Sequence, residues 1–223
     1  MYIKHDGLLM KIKRKIIDMP QLTKLLFTII LGAICPVSGF LIMCCCAFFI
    51  LPEPYIAPAA LFGLLCGILV DVFYLKRWVS NLYTLDMRVV MAIYFFYSVM
   101  MLGFFMGVPI FNILLAIPAG IYMGSRLSQT LVAPEEFGLL TRRTCIYTTA
   151  VLLLVCTTSG AIALIDPFTL DFMQTLLPVS FAIRQWMLAS AIVIGGLLLL
   201  SLHWLITGWV IRKTVTSLQL KNV

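Results

Sequence analysis

GLLCGILVDVFYLKRW, residues 63–78, decides what kind of object this chain is. Two glycines four residues apart lead to Asp71 four residues later, and a basic pair, Lys76-Arg77, follows. On a helix these three positions share one face. The rest of the stretch is apolar, so an acid lies inside a segment suited to lipid. Small residues four apart let membrane helices approach closely. Asp71 is therefore expected on a face packed against protein. An acid at that depth is costly, and by default it faces an interior partner or a cavity.

Outward from this stretch the chain has the same character. It holds 223 residues, 62% hydrophobic and 11% charged. A soluble domain carries about 25% charged residues, so lipid is the solvent for most of this chain. A membrane-spanning helix needs about 20 mostly apolar residues. Six stretches qualify, at roughly 24–50, 56–75, 88–106, 108–125, 144–165 and 186–211. The expected fold class is an all-α integral membrane protein with six spans in three hairpins and both termini cytoplasmic. Its organisation is a basic N-terminal segment over 1–23, one six-helix domain over 24–213 and a C-terminal tail over 214–223. The first apolar run is too long for the core of a cleaved signal peptide.

Orientation follows from charge. Six spans place fifteen basic residues, among them Lys11, Lys13, Arg14, Lys15, Arg77, Arg126, Arg142, Arg143, Arg212 and Lys213, on one side, and Arg184 alone on the other. Lys and Arg gather on the cytoplasmic side. The net charge of +7 is thus a topology signal, not a nucleic-acid footprint. The cluster KIKRK at 11–15 could also attract anionic head groups. The plasma or inner membrane is the expected location.

The seven cysteines do not require disulfides, because six lie within the expected spans and buried thiols behave as small hydrophobes. Cys44, Cys45 and Cys46 are about 100° apart on a helix, so they do not converge on a metal. No metal and no cofactor is expected.

The outside turns are LPEPYIAP (51–58), MGVP (106–109) and the long segment 165–185, with Pro58, Pro109 and Pro178 at the starts of the returning helices. The segment DPFTLDFMQTLLPVSFAIRQW (166–186), with Asp166, Asp171 and Arg184 among apolar residues, reads as a short amphipathic helix at the outer interface or as a lid. Pro134 before Glu135 and Glu136 marks a short helix start in the inner loop. ALFGLLCGILVDVFYLKR (60–77) aligns without gaps on PIFNILLAIPAGIYMGSR (109–126), which raises a parallel repeat of helical hairpins.

The helix-packing residues are read as Gly63 and Gly67 in the second span and Ala116, Gly120 and Gly124, with Asn112, in the fourth. Gly103 and Gly107 extend the device to the third. Asp71 falls roughly 21 Å inward from Ala57, and His203 roughly 25 Å inward from Trp186. Tyr94 and Thr148 or Thr149 fall near that level. The candidate polar layer is Asp71, Tyr94, Thr149 and His203, with His203 on a face shared with Ala189, Gly196 and Thr207. Asp71 has two readings: part of a functional layer, or a lock between helices through a carbonyl freed by Pro36 or Pro118, or through Lys76 or Arg77.

Enzymatic readings fail on residue type. Ser159-Gly160 with His203 resembles the dyad of rhomboid proteases, but TTSG lacks their leading glycine and the two depths differ by many ångströms. Glu135-Glu136 resembles the paired glutamates of prenyl-protein proteases without the residues that follow them there. Two non-catalytic classes remain. One is a small-solute carrier or the solute-binding membrane subunit of a transporter. Its outline is similar to that of the binding subunits of energy-coupling vitamin transporters, though none of their binding motifs is present. The other is an accessory or assembly subunit of a membrane complex. The expected partners are membrane lipids, an unidentified small solute, and other membrane subunits or a second copy of the chain.

Overall fold

The computed structural model describes residues 21–81, 85–129, 134–176 and 184–220. The basic cluster at 11–15, Pro178 and Lys221 lie outside the described residues. The described residues are all-helical, and six helices are long and apolar enough to cross a membrane. The chain divides into two compact units, Met1–Leu85 and Asp86–Val223.

The first unit is built from α1 (Gln21–Ile50), a 3-10 turn (Glu53–Tyr55) and α2 (Ile56–Ser80). Pro52, in extended backbone, stops α1 from continuing and starts the turn. The two helices pack antiparallel through backbone-level contacts. A methyl group at Gly63 would overlap the Gly39 carbonyl and sit 2.7 Å from the Met43 side chain. At Gly67 it would overlap the Cys35 carbonyl and lie 2.5 Å from the Pro36 Cα. Nothing but glycine fits this approach. Ala60, Gly63, Gly67, Asp71 and Val79 form the buried face of α2, while Leu65, Leu69, Val72 and Phe73 are exposed. Exposed apolar side chains of this kind suit a lipid surround.

The second unit contains α3 (Met87–Phe104), a 3-10 segment (Pro109–Leu115), α4 (Ala116–Gln129), α5 (Pro134–Ile165), α6 (Phe168–Leu176) and α7 (Gln185–Leu220). Gly120 and Gly124 lie against Thr207, Val210, Ile211 and Thr214, so α4 and α7 run parallel. Gly160 meets Ile192, and Cys145 meets Trp204 and Gly208, so α5 and α7 run antiparallel. Tyr147 bonds to the Met91 carbonyl and Ser159 to the Gly107 carbonyl, so α3 and α5 run parallel. Successive spans of this unit therefore alternate in direction. Met123, Leu127 and Ile211 form its core cluster, with Met87, Phe137, Leu140 and Val215 packed around it.

Three boundaries differ from the expectation. The fourth span is not one α-helix: its first seven residues are 3-10. Pro118 has no N–H to offer the Leu114 carbonyl, and its ring crowds that carbonyl. The tighter 3-10 winding upstream is the consequence. The fifth helix begins at Pro134 and runs 32 residues without a break, so the expected short inner helix is its first turns. Cys145 accordingly lies about three turns into the helix and is buried. The last helix continues through Leu220, because no Gly or Pro follows Gly208 and a helix need not end where lipid does. Gly103 and Gly107 are also corrected: neither has a neighbour within 4 Å of an added methyl. Gly107 instead serves a turn, at φ +82 beside Met106 at φ 52.

Within the segment expected to hold a short amphipathic helix, residues Phe168–Leu176 form α6. Asp166 caps it, accepting from the Phe168 N–H at 3.2 Å and the Thr169 hydroxyl at 2.8 Å. At nine residues it is too short to span. In α2 and α4 the aligned positions Gly63 and Asn112, Gly67 and Ala116, and Asp71 and Gly120 are all buried. Their settings differ: α2 lies along α1, whereas the α4 glycines lie along α7.

Candidate functional site

In the first unit the site lies beside Pro36, which stands inside the continuous helix α1. Proline supplies no N–H, so the Gly32 carbonyl loses its helical partner. Gly32 and Asp71 face each other across the helix pair, and a methyl at Gly32 would be 3.8 Å from Asp71 Oδ2 and 3.1 Å from the Leu75 side chain. The Cys35 thiol lies beside the carboxyl. Asp71 is 7% exposed, and its Oδ1 has no hydrogen-bond partner among the described residues. Lys76 and Arg77 are exposed and form no ion pair with it among those residues. Both readings of Asp71, a functional acid and a link between the two helices, fit this setting. A buried polar atom without a protein partner calls for an explanation, and inside a membrane span an acid of this kind commonly serves function.

In the second unit Tyr94 and His203 come together across α3 and α7, with Tyr94 Oη 3.0 Å from His203 Nε2. Thr207 donates its hydroxyl hydrogen to the His203 carbonyl at 2.8 Å. Only its lone pairs then face His203 Nδ1, 3.5 Å away. This favours Nδ1–H, leaves Nε2 as acceptor and makes the Tyr94 hydroxyl the donor. The Tyr147 ring stands edge-on to Tyr94 at 6.0 Å, and its hydroxyl donates to the Met91 carbonyl at 2.7 Å. His203 and Thr207 are fully enclosed.

Of the four candidate residues, the structure joins Tyr94 and His203 directly. Thr149 stays apart, its Oγ1 without a partner, while Thr148 is the more buried of the two and bonds to the Cys145 carbonyl at 3.3 Å. Asp71 belongs to the first unit and the other three to the second. On the His203 face Thr207 is buried, but Gly196 has open space around it. Ser159 and His203 do not meet: Ser159 is bonded to the Gly107 carbonyl, and its neighbour Gly160 packs near Ile192, eleven residues from His203.

Two participants were missed. Asn112 is 2% exposed and donates to the Ser98 carbonyl at 3.1 Å, with its own Oδ1 unpaired. Its place among small residues hid its polarity. Tyr147 carried a signal in that it stands, with Cys145, at the start of the fifth apolar run.

No family model matches the chain, and no curated protein and no solved structure matches it either. Six apolar helices, with a buried acid in one packed pair and a tyrosine bonded to a buried histidine in another unit, belong to a multi-pass integral membrane protein.

Proposed function

We propose that the protein is a small-solute carrier, or the solute-binding membrane subunit of one, with Asp71 holding the solute's cationic group or a coupling ion. The observation that carries this reading is the buried Asp71 Oδ1, without a hydrogen-bond partner among the described residues and close to the stretch of α1 that holds Pro36. Acids buried within spanning helices commonly mark ion or solute pathways, and the Gly32 carbonyl, deprived of its helical partner by Pro36, lies on the same side of the helix pair. The six spans are arranged as three hairpins with both termini in the cytoplasm, supported by the fifteen-to-one distribution of basic residues. The membrane is the plasma or inner membrane, and the role is non-catalytic.

Uptake by proteoliposomes tests the reading. A panel of labelled amino acids, sugars, vitamins and organic cations is offered with and without proton and sodium gradients. At least one solute is expected to enter faster than into protein-free vesicles, and Asp71→Asn to abolish that excess.

A second reading, an accessory or assembly subunit, is favoured by the enclosed His203–Thr207 pair. Its ring nitrogens are both satisfied within the protein, as in a filled interior rather than a solute path. No uptake across the panel, together with a second membrane chain co-purifying in fixed ratio, would replace the first reading by this one.

A further inference from the structure

The second unit carries a second polar feature, away from the tyrosine–histidine pair. Toward the basic end of α5 and α7 the two helices part around a concavity of about 310 Å³. Its walls include Trp204 and Leu205, and Arg142 and Arg212 stand on either side of it. Both arginines are exposed, and neither pairs with a carboxylate among the described residues. Thr141 lines the same space. It is 9% exposed, and its Oγ1 has no hydrogen-bond partner among those residues. Gly138, also on the wall, leaves room, with nothing within 4 Å of an added methyl. On the other side of Leu205 a shallower groove of about 420 Å³ is lined by Ile206, Trp209 and again Arg212.

These features have the layout of one amphiphile. Two cations and a free hydroxyl sit at the polar end. Two apolar channels, divided by the Leu205 ridge, leave that end along α7. From Arg212 to Leu205 is seven residues, about 10 Å of helix, which places the ridge below the head-group level. Arginine matches phosphate oxygens in fork geometry, and basic pockets between membrane helices hold anionic head groups. We propose that this groove is a binding site for one anionic phospholipid. Its phosphate lies between Arg142 and Arg212, Thr141 donates to a head-group or ester oxygen, and one acyl chain runs on each side of Leu205. The site does not depend on the carrier reading or on Asp71.

The test is lipid retention by the purified, delipidated protein in detergent, read by native mass spectrometry during titration with phosphatidylglycerol or with phosphatidylcholine of the same chains. One phosphatidylglycerol per chain is expected to be retained, and phosphatidylcholine much less. Arg142→Gln with Arg212→Gln is expected to weaken retention roughly 30-fold, two contacts of about fivefold each. Arg143→Gln, an exposed neighbour that does not line the groove, should change it less than threefold. Equal retention of the two lipids overturns the proposal, as does undiminished retention by the double variant. Full competition by millimolar inorganic phosphate overturns the lipid assignment and leaves a simple anion site. Should the double variant fail to fold, the comparison of the two lipids on the unaltered protein still decides.

Discussion

At the scale of single residues, the unpaired atoms carry the sharpest expectations. Asp71 has no basic partner among the described residues, so neutralising it strands no charge. Asp71→Asn is therefore expected to stay within about 1 kcal/mol of the parent in stability, while solute uptake is lost. Loss of about 3–5 kcal/mol, the cost of stranding a buried charged partner, would favour the helix-lock reading. Thermal unfolding in detergent beside the uptake assay separates the two. Tyr94→Phe and Thr149→Val make a second contrast. The first leaves His203 Nε2 without its donor in an enclosed place and is expected to cost about 1–3 kcal/mol. The second removes a hydroxyl that has no partner, so it is expected to be neutral or mildly stabilising. Equal losses for the two would contradict the hydrogen bonding described. The spacing of Tyr94 and His203 along their spans placed them at one depth. It did not distinguish Thr148 from Thr149, because adjacent helical positions share a depth and differ only in direction, which the packing of α5 decides.

At the scale of elements, glycines divide by what they touch. Gly67 lies on the Cys35 carbonyl, whereas Leu65, two positions away, is 57% exposed. Gly67→Leu must push α1 and α2 apart and is expected to cost at least about 1–3 kcal/mol. Leu65→Ala is expected to stay within about 0.5 kcal/mol. Folded yield and thermal midpoint in detergent compare them directly. Gly103, inside α3 with empty space around it, is expected to behave oppositely: Gly103→Ala should stabilise by about 0.4–1 kcal/mol. A loss there would mean that an uncharacterised neighbour packs on α3. The four-residue spacing of Gly63, Gly67 and Asp71 was readable because one face of a regular helix repeats at that interval. Gly103 and Gly107 share the spacing, but Gly107 lies past the end of α3 in a positive-φ turn, so the rule no longer applied. The 3-10 winding before Ala116 was signalled by Pro109 and Pro118, yet composition alone reads that run as one span.

At the scale of the whole molecule, hydropathy and charge were enough for six spanning helices, because each needs only length and apolar content. Helix ends were less legible. Apolar content marks where lipid stops, while Pro134 and the absence of a breaker after Gly208 mark where helices stop. Orientation can be checked by labelling cysteines in intact cells with an impermeant maleimide. The native cysteines described lie within spanning helices. A cysteine at Phe168, which is 75% exposed at the start of α6, is expected to react from outside. One at Arg143 is expected to react only after the membrane is opened. The reverse pattern would invert the topology.

The packing of α7 also sets an order of events during synthesis. Gly120 and Gly124 on α4 and Gly160 on α5 find their partners on α7, which leaves the ribosome after every other described element. Until it is inserted, those close-packing faces stand open in the bilayer to any other helix, and His203, which completes the Tyr94 bond, does not yet exist. The α1–α2 pair meets no such delay, since its partners lie within 60 residues of each other. The early pair can therefore close before the rest of the chain is made, whereas the packing faces of α4 and α5 are covered only once the last helix is in place.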